Sequence, residues 1–428
     1  MNIYIETYGC AANQSDSEIM AGLLSKAGFD IVHNIELADI IIINTCVVKG
    51  TTERKILFRI KELAEKNKKL IIAGCMPETE LDKIRKITDA SVIGTDSTKI
   101  LSVVRRVLNN EHVIEIGTKS EKVCLPKIMA NPVRDIVQIS EGCLSLCSFC
   151  LTRMARKNLF SYSPEKILRE INEAHSSGVK EFWLTSQDCG CYGFDIGTTI
   201  TNLLKKITTE VRGKYRIRVG MMNPQHILNQ LNELVEIYKD AHIFKFLHIP
   251  VQSGSDSILK DMKRGYSVND FLHTIKRFRQ KIPDITLWTD VIVGYPTETD
   301  DDFSKTASLI KKIMPDYTNI SRFTPRPHTK AAGLKQLPSE TKKQRSRAMT
   351  ELVNKICLNQ NRKWVGKECE ILIDEYNRHH RTWIGRTAFY KQVVVKANEK
   401  SNRKFHLGDW LNVKITDAAQ THLVGEVI

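Results

Sequence analysis

Short apolar runs alternate with helix-patterned stretches over the first quarter of the chain. Residues 3–5, 40–43 and 70–73 are runs of buried-strand type, and residues 15–27 and 52–67 between them carry apolar positions at helical spacing. Such alternation predicts a parallel sheet with helices on its faces, a Rossmann-like α/β domain. The pattern ends near residue 118, inside the polar stretch GTKSEKVCLPKIMANP.

A second series begins at residues 135–139. Further strands are predicted at 181–185, 215–221, 243–249, 286–293 and 317–323, with helices at 164–176, 195–211, 225–238, 268–280 and 300–313. Ser163 and Pro164 suit an N-cap and a first helical turn. Six strand–helix repeats predict an incomplete, (β/α)6 TIM-like barrel, whose active face is the C-terminal ends of its strands. Residues 338–360 read as a basic helix. After it, CEILIDE, TWIGRTAFYKQVVVKA and WLNVKITDA alternate partially and predict a small antiparallel β-barrel. The chain therefore divides into units 1–118, 129–360 and 361–428.

Charge sharpens this division. Residues 1–118 hold 15 Lys and Arg against 16 Asp and Glu, whereas residues 322–363 hold 11 against 2. Residues 361–428 add 12 against 8. In a chain of net charge +15, a basic band confined to the C-terminal part is either the footprint of a polyanion, most simply RNA, or a solvated surface. Trp364, Trp383, Phe389 and Tyr390 interleave with Arg362, Lys363, Arg381, Arg386 and Lys391. That mixture suits base stacking with phosphate contact, and equally an ordinary barrel core. No apolar run reaches eighteen residues and the N-terminus lacks a signal-peptide pattern. The eleven cysteines do not form a secreted disulfide scaffold, so a reducing, cytoplasmic setting without a membrane is expected.

The cysteines carry the chemistry. Cys143, Cys147 and Cys150 have the spacing C-x3-C-x2-C. Three thiolates on one loop suit three irons of a [4Fe–4S] cluster, leaving one iron open to a small molecule. A zinc loop would want a fourth Cys or His nearby, and the next histidine, His175, falls in a predicted helix. The loop follows the first strand of the second series, at the barrel's active face. Cys10, Cys46 and Cys75 are scattered, yet each follows a predicted strand or its turn. Those strand ends share one sheet edge, so the thiols suit a second open-iron cluster, or each is a small core residue. Arg153 and Arg156 suit screening of cluster charge, contact with a phosphate, or plain surface. Cys189 and Cys191 read as bystanders or extra soft ligands, and Cys124, Cys357 and Cys369 as structural.

Over nearly its full length the chain resembles the radical-SAM methylthiotransferases. The resemblance is carried by TYGCAANQSDSEIM, NTCVVKGTTERK, AGCMPE, EGCLSLCSFCLTRMAR, HIPVQSGSDSILKDMKRGY and DVIVGYPTETDDDF, and by a C-terminal stretch similar to the family's TRAM RNA-binding barrel. WLTSQDCGCYGFDIGT and MMNPQHIL look most like the archaeal and eukaryotic branch acting on threonylcarbamoyladenosine in tRNA, although the cysteines of QDCGCYG depart from it.

The resemblance implies two [4Fe–4S] clusters. Cys143, Cys147 and Cys150 would hold the one that binds S-adenosylmethionine (SAM), and Cys10, Cys46 and Cys75 the auxiliary one carrying the sulfur to be inserted. Phe149 would lie near the SAM adenine. Thr185, Ser186, Gln187, Asp188, Gln252, Ser253 and Gly294, at strand ends, would complete the SAM pocket. The implied reaction is radical methylthiolation of C2 of N6-threonylcarbamoyladenosine at adenosine 37. The implied partners are the tRNA anticodon stem-loop and a low-potential electron donor of flavodoxin or ferredoxin type. Sister activities use isopentenyladenosine or a ribosomal-protein aspartate, and a non-catalytic iron–sulfur RNA-binding protein is the reading from a different class.

Overall fold

The computed structural model describes residues 1–48, 50–396 and 404–428. The first unit is an all-parallel sheet of six strands, ordered β2-β1-β3-β4-β5-β6. They are β1 (Asn2–Thr7), β2 (Asp30–Val32), β3 (Ile40–Thr45), β4 (Lys69–Gly74), β5 (Ser91–Ile93) and β6 (Ile114–Glu115). The four isoleucines of β3 are wholly buried, as expected of a central strand covered on both faces. β2, β5 and β6 fall outside the predicted elements, because runs of two or three residues carry no readable period.

The second unit contains β7 (Arg134–Gln138), a small antiparallel pair β8 (Ser140–Glu141) and β9 (Phe160–Ser161), then β10 (Glu181–Thr185), β11 (Arg216–Val219), β12 (Phe246–His248), β13 (Thr286–Val293) and β14 (Tyr317–Arg322). The parallel sets β7-β10-β11 and β12-β13-β14 are joined by a bridge between Ile217 and Ile243, giving the open, incomplete barrel expected. Two helices differ from expectation. The one predicted at 195–211 starts at Ile200, where the Thr199 side chain accepts the Asn202 N–H. The one predicted at 225–238 is broken into Pro224–Ile227 and Leu231–Ile237 around a 3-10 turn. There the Gln230 side chain is buried, donating to His226 O and Gly190 O.

Helix Ser339–Arg362 runs from the second unit into the third. The third unit is a closed barrel of β15 (Glu368–Asn377), β16 (Thr382–Thr387), β17 (Gln392–Lys396), β18 (Trp410–Ala418) and β19 (Leu423–Val427). It is not purely antiparallel: the β18–β19 hairpin returns so that β19 runs parallel to β17.

The first two units meet closely. The linker crosses helix Ala11–Lys26 at Gly22, where a Cβ would lie 2.2 Å from Pro126 O. On the same helix, Ser15 Oγ donates to Ile136 O at 3.0 Å. This contact turns the cysteine-bearing edge of the first sheet toward the barrel.

Candidate active site: two cysteine trios across a buried arginine

β1, β3 and β4 are neighbours in the sheet, and their ends deliver Cys10, Cys46 and Cys75 to one edge. Cys10 occupies the N-cap of helix Ala11–Lys26. Asn13, one turn along, holds its Oδ1 3.5 Å from Cys10 Sγ and 4.0 Å from Cys75 Sγ. Its Nδ2 donates to Thr45 O at 2.7 Å. Gly9 makes the close approach possible: its φ is +131°, and a Cβ there would lie 2.9 Å from Cys46 Cβ. Cys46 and Cys75 are buried and Cys10 is exposed. Burial raises the Cys46 thiol and pushes that of Cys75 up to about 12. Thiolates here are costly unless a cation takes their charge.

The second trio follows β8 on a loop held at each ligand. Gln187 Oε1 accepts the Gly142 N–H at 2.6 Å, the Ser145 N–H points at Cys143 Sγ at 3.3 Å, and Asn223 Nδ2 donates to Ser145 Oγ at 2.8 Å. Arg264, 5% exposed, donates from Nη1 to Cys147 Sγ at 3.1 Å. A hydrogen bond from Cys191 brings the Cys143 thiol down to about 7, whereas burial pushes Cys150 up to about 11.

Arg156 is not a surface residue. It is 1% exposed and ends the short helix Thr152–Arg156 that follows Cys150. Its guanidinium donates to Asp16 Oδ2 and Glu141 Oε1, each at 2.7 Å, and to Asn13 Oδ1 at 3.3 Å. Lys122, also buried, donates to Asp16 Oδ1 at 2.8 Å and lies 3.5 Å from Glu141 Oε2. Two cations thus face two carboxylates in a closed interior, with the Cys10 and Cys75 sulfurs close enough to stabilise the Arg156 charge.

Both trios fit a polynuclear cluster. A single tetrahedral zinc holds its sulfurs about 3.8 Å apart, by simple geometry from a 2.3 Å bond. Among the described residues neither trio draws all three sulfurs within 4.8 Å of one another. Buried donors reach two of the sulfurs, Arg264 at Cys147 and the Ser145 N–H at Cys143, where an Asp188 carboxylate oxygen also lies within 4.8 Å.

Comparison with known proteins then decides the family. Residues 2–94 match the uncharacterized protein family UPF0004, residues 137–310 the radical SAM superfamily and residues 365–428 the TRAM domain. A Pyrococcus abyssi protein named probable threonylcarbamoyladenosine tRNA methylthiotransferase is 43% identical, with all of each chain covered. The Homo sapiens threonylcarbamoyladenosine tRNA methylthiotransferase is 35% identical over the whole of this chain, which spans 74% of that protein. The chain belongs to this methylthiotransferase family. In fold it is similar to the radical S-adenosylmethionine methyltransferase TsrM from Kitasatospora setae, with a TM-score of 0.57 at 11% identity over 77% of each chain.

In this methylthiotransferase the other sequence-predicted residues fall into three groups. Some support the loop: Gln187 as above, and Asp188, whose Oδ1 accepts the Gly190 and Asn223 N–H groups while Oδ2 meets His226 Nδ1 at 2.6 Å. Asp188 is 1% exposed, so its carboxylate is committed within the protein. Ser186 Oγ caps Asp188 N–H at 3.0 Å, and Ser253 is wholly buried beside Thr306. Others line the barrel mouth. Phe149 is half-buried against Met262, Tyr295 and Phe323. Thr185 is buried at the end of β10, and Gln252 has φ +68° between the ends of β12 and β13. Gly294 does not leave open space, because the Lys342 side chain fills it, 2.6 Å from where a Cβ would be.

The basic residues divide sharply. Arg362, Lys363 and Arg381 are exposed. Lys391 is buried, donating to Asp316 Oδ1 at 2.6 Å and Asn361 Oδ1 at 2.8 Å, and Arg386 faces Asp374 beneath Tyr390. Within the 322–363 band, Arg326 pairs with Glu53 and donates to Val47 O beside Cys46, and Arg345 pairs with Glu298. Trp364 and Tyr390 are buried, with Trp383 and Phe389 packed on the barrel core. Asn13, Arg264, Asn223 and His226 escaped the sequence reading. Only their positions inside CAANQ, MKRGY and MMNPQHIL offered a signal.

Proposed function

We infer that this methylthiotransferase replaces the C2 hydrogen of N6-threonylcarbamoyladenosine in tRNA with a methylthio group; its relatives are named threonylcarbamoyladenosine tRNA methylthiotransferases. One observation carries the reading: a chain 35–43% identical to those enzymes carries both trios of cysteines, and Arg156, on the helix after Cys150, reaches the asparagine that faces Cys10 and Cys75. Cys143, Cys147 and Cys150 would hold the SAM-binding [4Fe–4S] cluster, and Cys10, Cys46 and Cys75 the auxiliary one. When bound, these groups supply the radical chemistry and the inserted sulfur.

The protein's own residues then position and insulate. Arg264 would hold the Cys147 sulfur in place, Asn13 would orient Cys10 and Cys75, and Arg156 with Lys122 would neutralise the buried Asp16 and Glu141. Phe149, Thr185 and Gln252 would border SAM, and Gln187 and Asp188 would brace the loop beneath it. The 361–428 barrel, with Arg362, Lys363 and Arg381 exposed, would grip the tRNA, the anticodon stem-loop presenting adenosine 37 unstacked to the cavity. A low-potential flavodoxin- or ferredoxin-type protein would deliver electrons.

Nucleoside mass spectrometry of tRNA from cells with and without the gene tests the substrate. Deletion should remove the 2-methylthio derivative and leave N6-threonylcarbamoyladenosine in its place. Loss of the 2-methylthio-isopentenyl nucleoside instead would overturn the choice.

A further inference from the structure

Cys191 belongs to neither trio. It ends the 3-10 turn Cys189–Cys191 after β10 and is completely buried. Its thiol donates to Asp188 O at 3.3 Å, and its sulfur, that of Cys143 and one Asp188 carboxylate oxygen all lie within 4.8 Å of one another. Cys189 turns the other way, its Sγ 3.7 Å from Leu184 O and packed under Gly220. The turn cannot easily move: Asp188 Oδ1 holds the Gly190 N–H at 2.9 Å, and Gln230 Nε2 holds Gly190 O at 3.2 Å. The opposite side is pinned as well, by Gln187 on Gly142. The two thiols are therefore held within 4.8 Å of each other, and the half-buried one, Cys143, is the one a small oxidant can reach.

We propose that Cys143 and Cys191 form a reversible disulfide when a peroxide strips the iron from the Cys143 loop. The Cys143 thiolate attacks one oxygen of hydrogen peroxide. An S–O bond forms, the O–O bond breaks, and the hydroxide released leaves as water with the thiol proton. The Cys191 sulfur then attacks Cys143, forming the S–S bond and breaking the S–O bond, with loss of a second water. Two thiols lose two electrons and one peroxide becomes two waters. The disulfide shields Cys143 from irreversible sulfinic and sulfonic acids, and a dithiol reductant returns both thiols for reloading. None of this depends on which nucleoside is the substrate.

The test starts from reconstituted full-length protein, treated with hydrogen peroxide until its iron–sulfur absorbance is lost, then alkylated, digested and analysed by mass spectrometry. One linked peptide pair, Cys143 to Cys191, should appear after peroxide, be absent before it, and vanish on treatment with dithiothreitol. Reduced wild-type protein should then reload most of its iron. Cys191→Ala and Cys191→Ser should recover a several-fold smaller fraction of their own initial iron and carry sulfinic or sulfonic acid at Cys143. Cys143 joined to Cys147 or Cys150, wild-type Cys143 over-oxidised beside a free Cys191, or equal reloading in all three proteins would each overturn the proposal.

Discussion

The guanidinium of Arg156 lies 3.3 Å from Asn13 Oδ1, and that same oxygen faces the sulfurs of Cys10 and Cys75. Arg156 also closes the helix Thr152–Arg156 that directly follows Cys150. One side chain therefore links the helix after Cys150 to the asparagine that faces Cys10 and Cys75. Replacing it by Ala would leave Asp16 and Glu141 buried with Lys122 as their remaining ion-pair partner among the described residues. Arg156→Ala should cost about 3–5 kcal/mol in urea denaturation, the usual cost of breaking a buried pair. A loss below about 1 kcal/mol would mean that the network is not structural.

Arg264 makes a different prediction. A cationic N–H bond to a ligating sulfur stabilises the reduced, more negative cluster. Arg264→Gln should lower the reduction potential of the Cys143/Cys147/Cys150 cluster by roughly 50–100 mV, the equivalent of about 1–2 kcal/mol for one hydrogen bond to a charged group. Redox titration followed by electron paramagnetic resonance reads this directly, and an unchanged potential would contradict the role.

Basic residues should separate by burial. Arg362→Ala, Lys363→Ala and Arg381→Ala should each weaken tRNA binding a few-fold, and each lost phosphate contact should reduce the salt slope by about 0.7–0.9. Lys391→Ala should instead destabilise the fold by roughly 2–4 kcal/mol, because it leaves Asp316 unpaired in the interior. A Lys391→Ala protein that folds normally yet binds tRNA poorly would reverse this assignment.

Acid should loosen the helix Asp300–Ile313. Asp302 forms a capping box with Thr299 and accepts Ser255 and Ser257 hydroxyls; burial opposes its ionisation, but these bonds win and hold the carboxyl at about 2 against an ordinary 3.8. A depressed carboxyl pKa contributes stability above about pH 4 that is lost as pH falls toward 2. Asp302→Asn should flatten the pH dependence of stability in that window, measured by denaturant unfolding. An unchanged slope would show that the caps do not act through charge.

The central strands were readable because β3 and β4 are long enough to show a pattern and sit at the middle of their sheet, whereas three-residue edge strands such as Asp30–Val32 show none. The positions of Cys10, Cys46 and Cys75 after three neighbouring strands were equally legible. Burial of charge was not. Arg156, Arg386 and Lys391 look like surface residues in one dimension, and only folding reveals the carboxylates waiting for them: Asp16 and Glu141, Asp374, and Asp316. The neighbour of Gly294 was equally unreadable, since the space beside it is taken by the Lys342 side chain, 48 residues away in sequence.

Division of labour between the trios is the central claim, and a paired assay of Cys143→Ala and Cys46→Ala tests it. Each variant is reconstituted, given SAM, reductant and tRNA, and analysed for both 5′-deoxyadenosine and methylthiolated nucleoside. Cys143→Ala should form neither product. Cys46→Ala should still release 5′-deoxyadenosine while forming no methylthiolated nucleoside. Full methylthiolation by Cys46→Ala, or loss of SAM cleavage in that variant with its other cluster intact, would contradict the account.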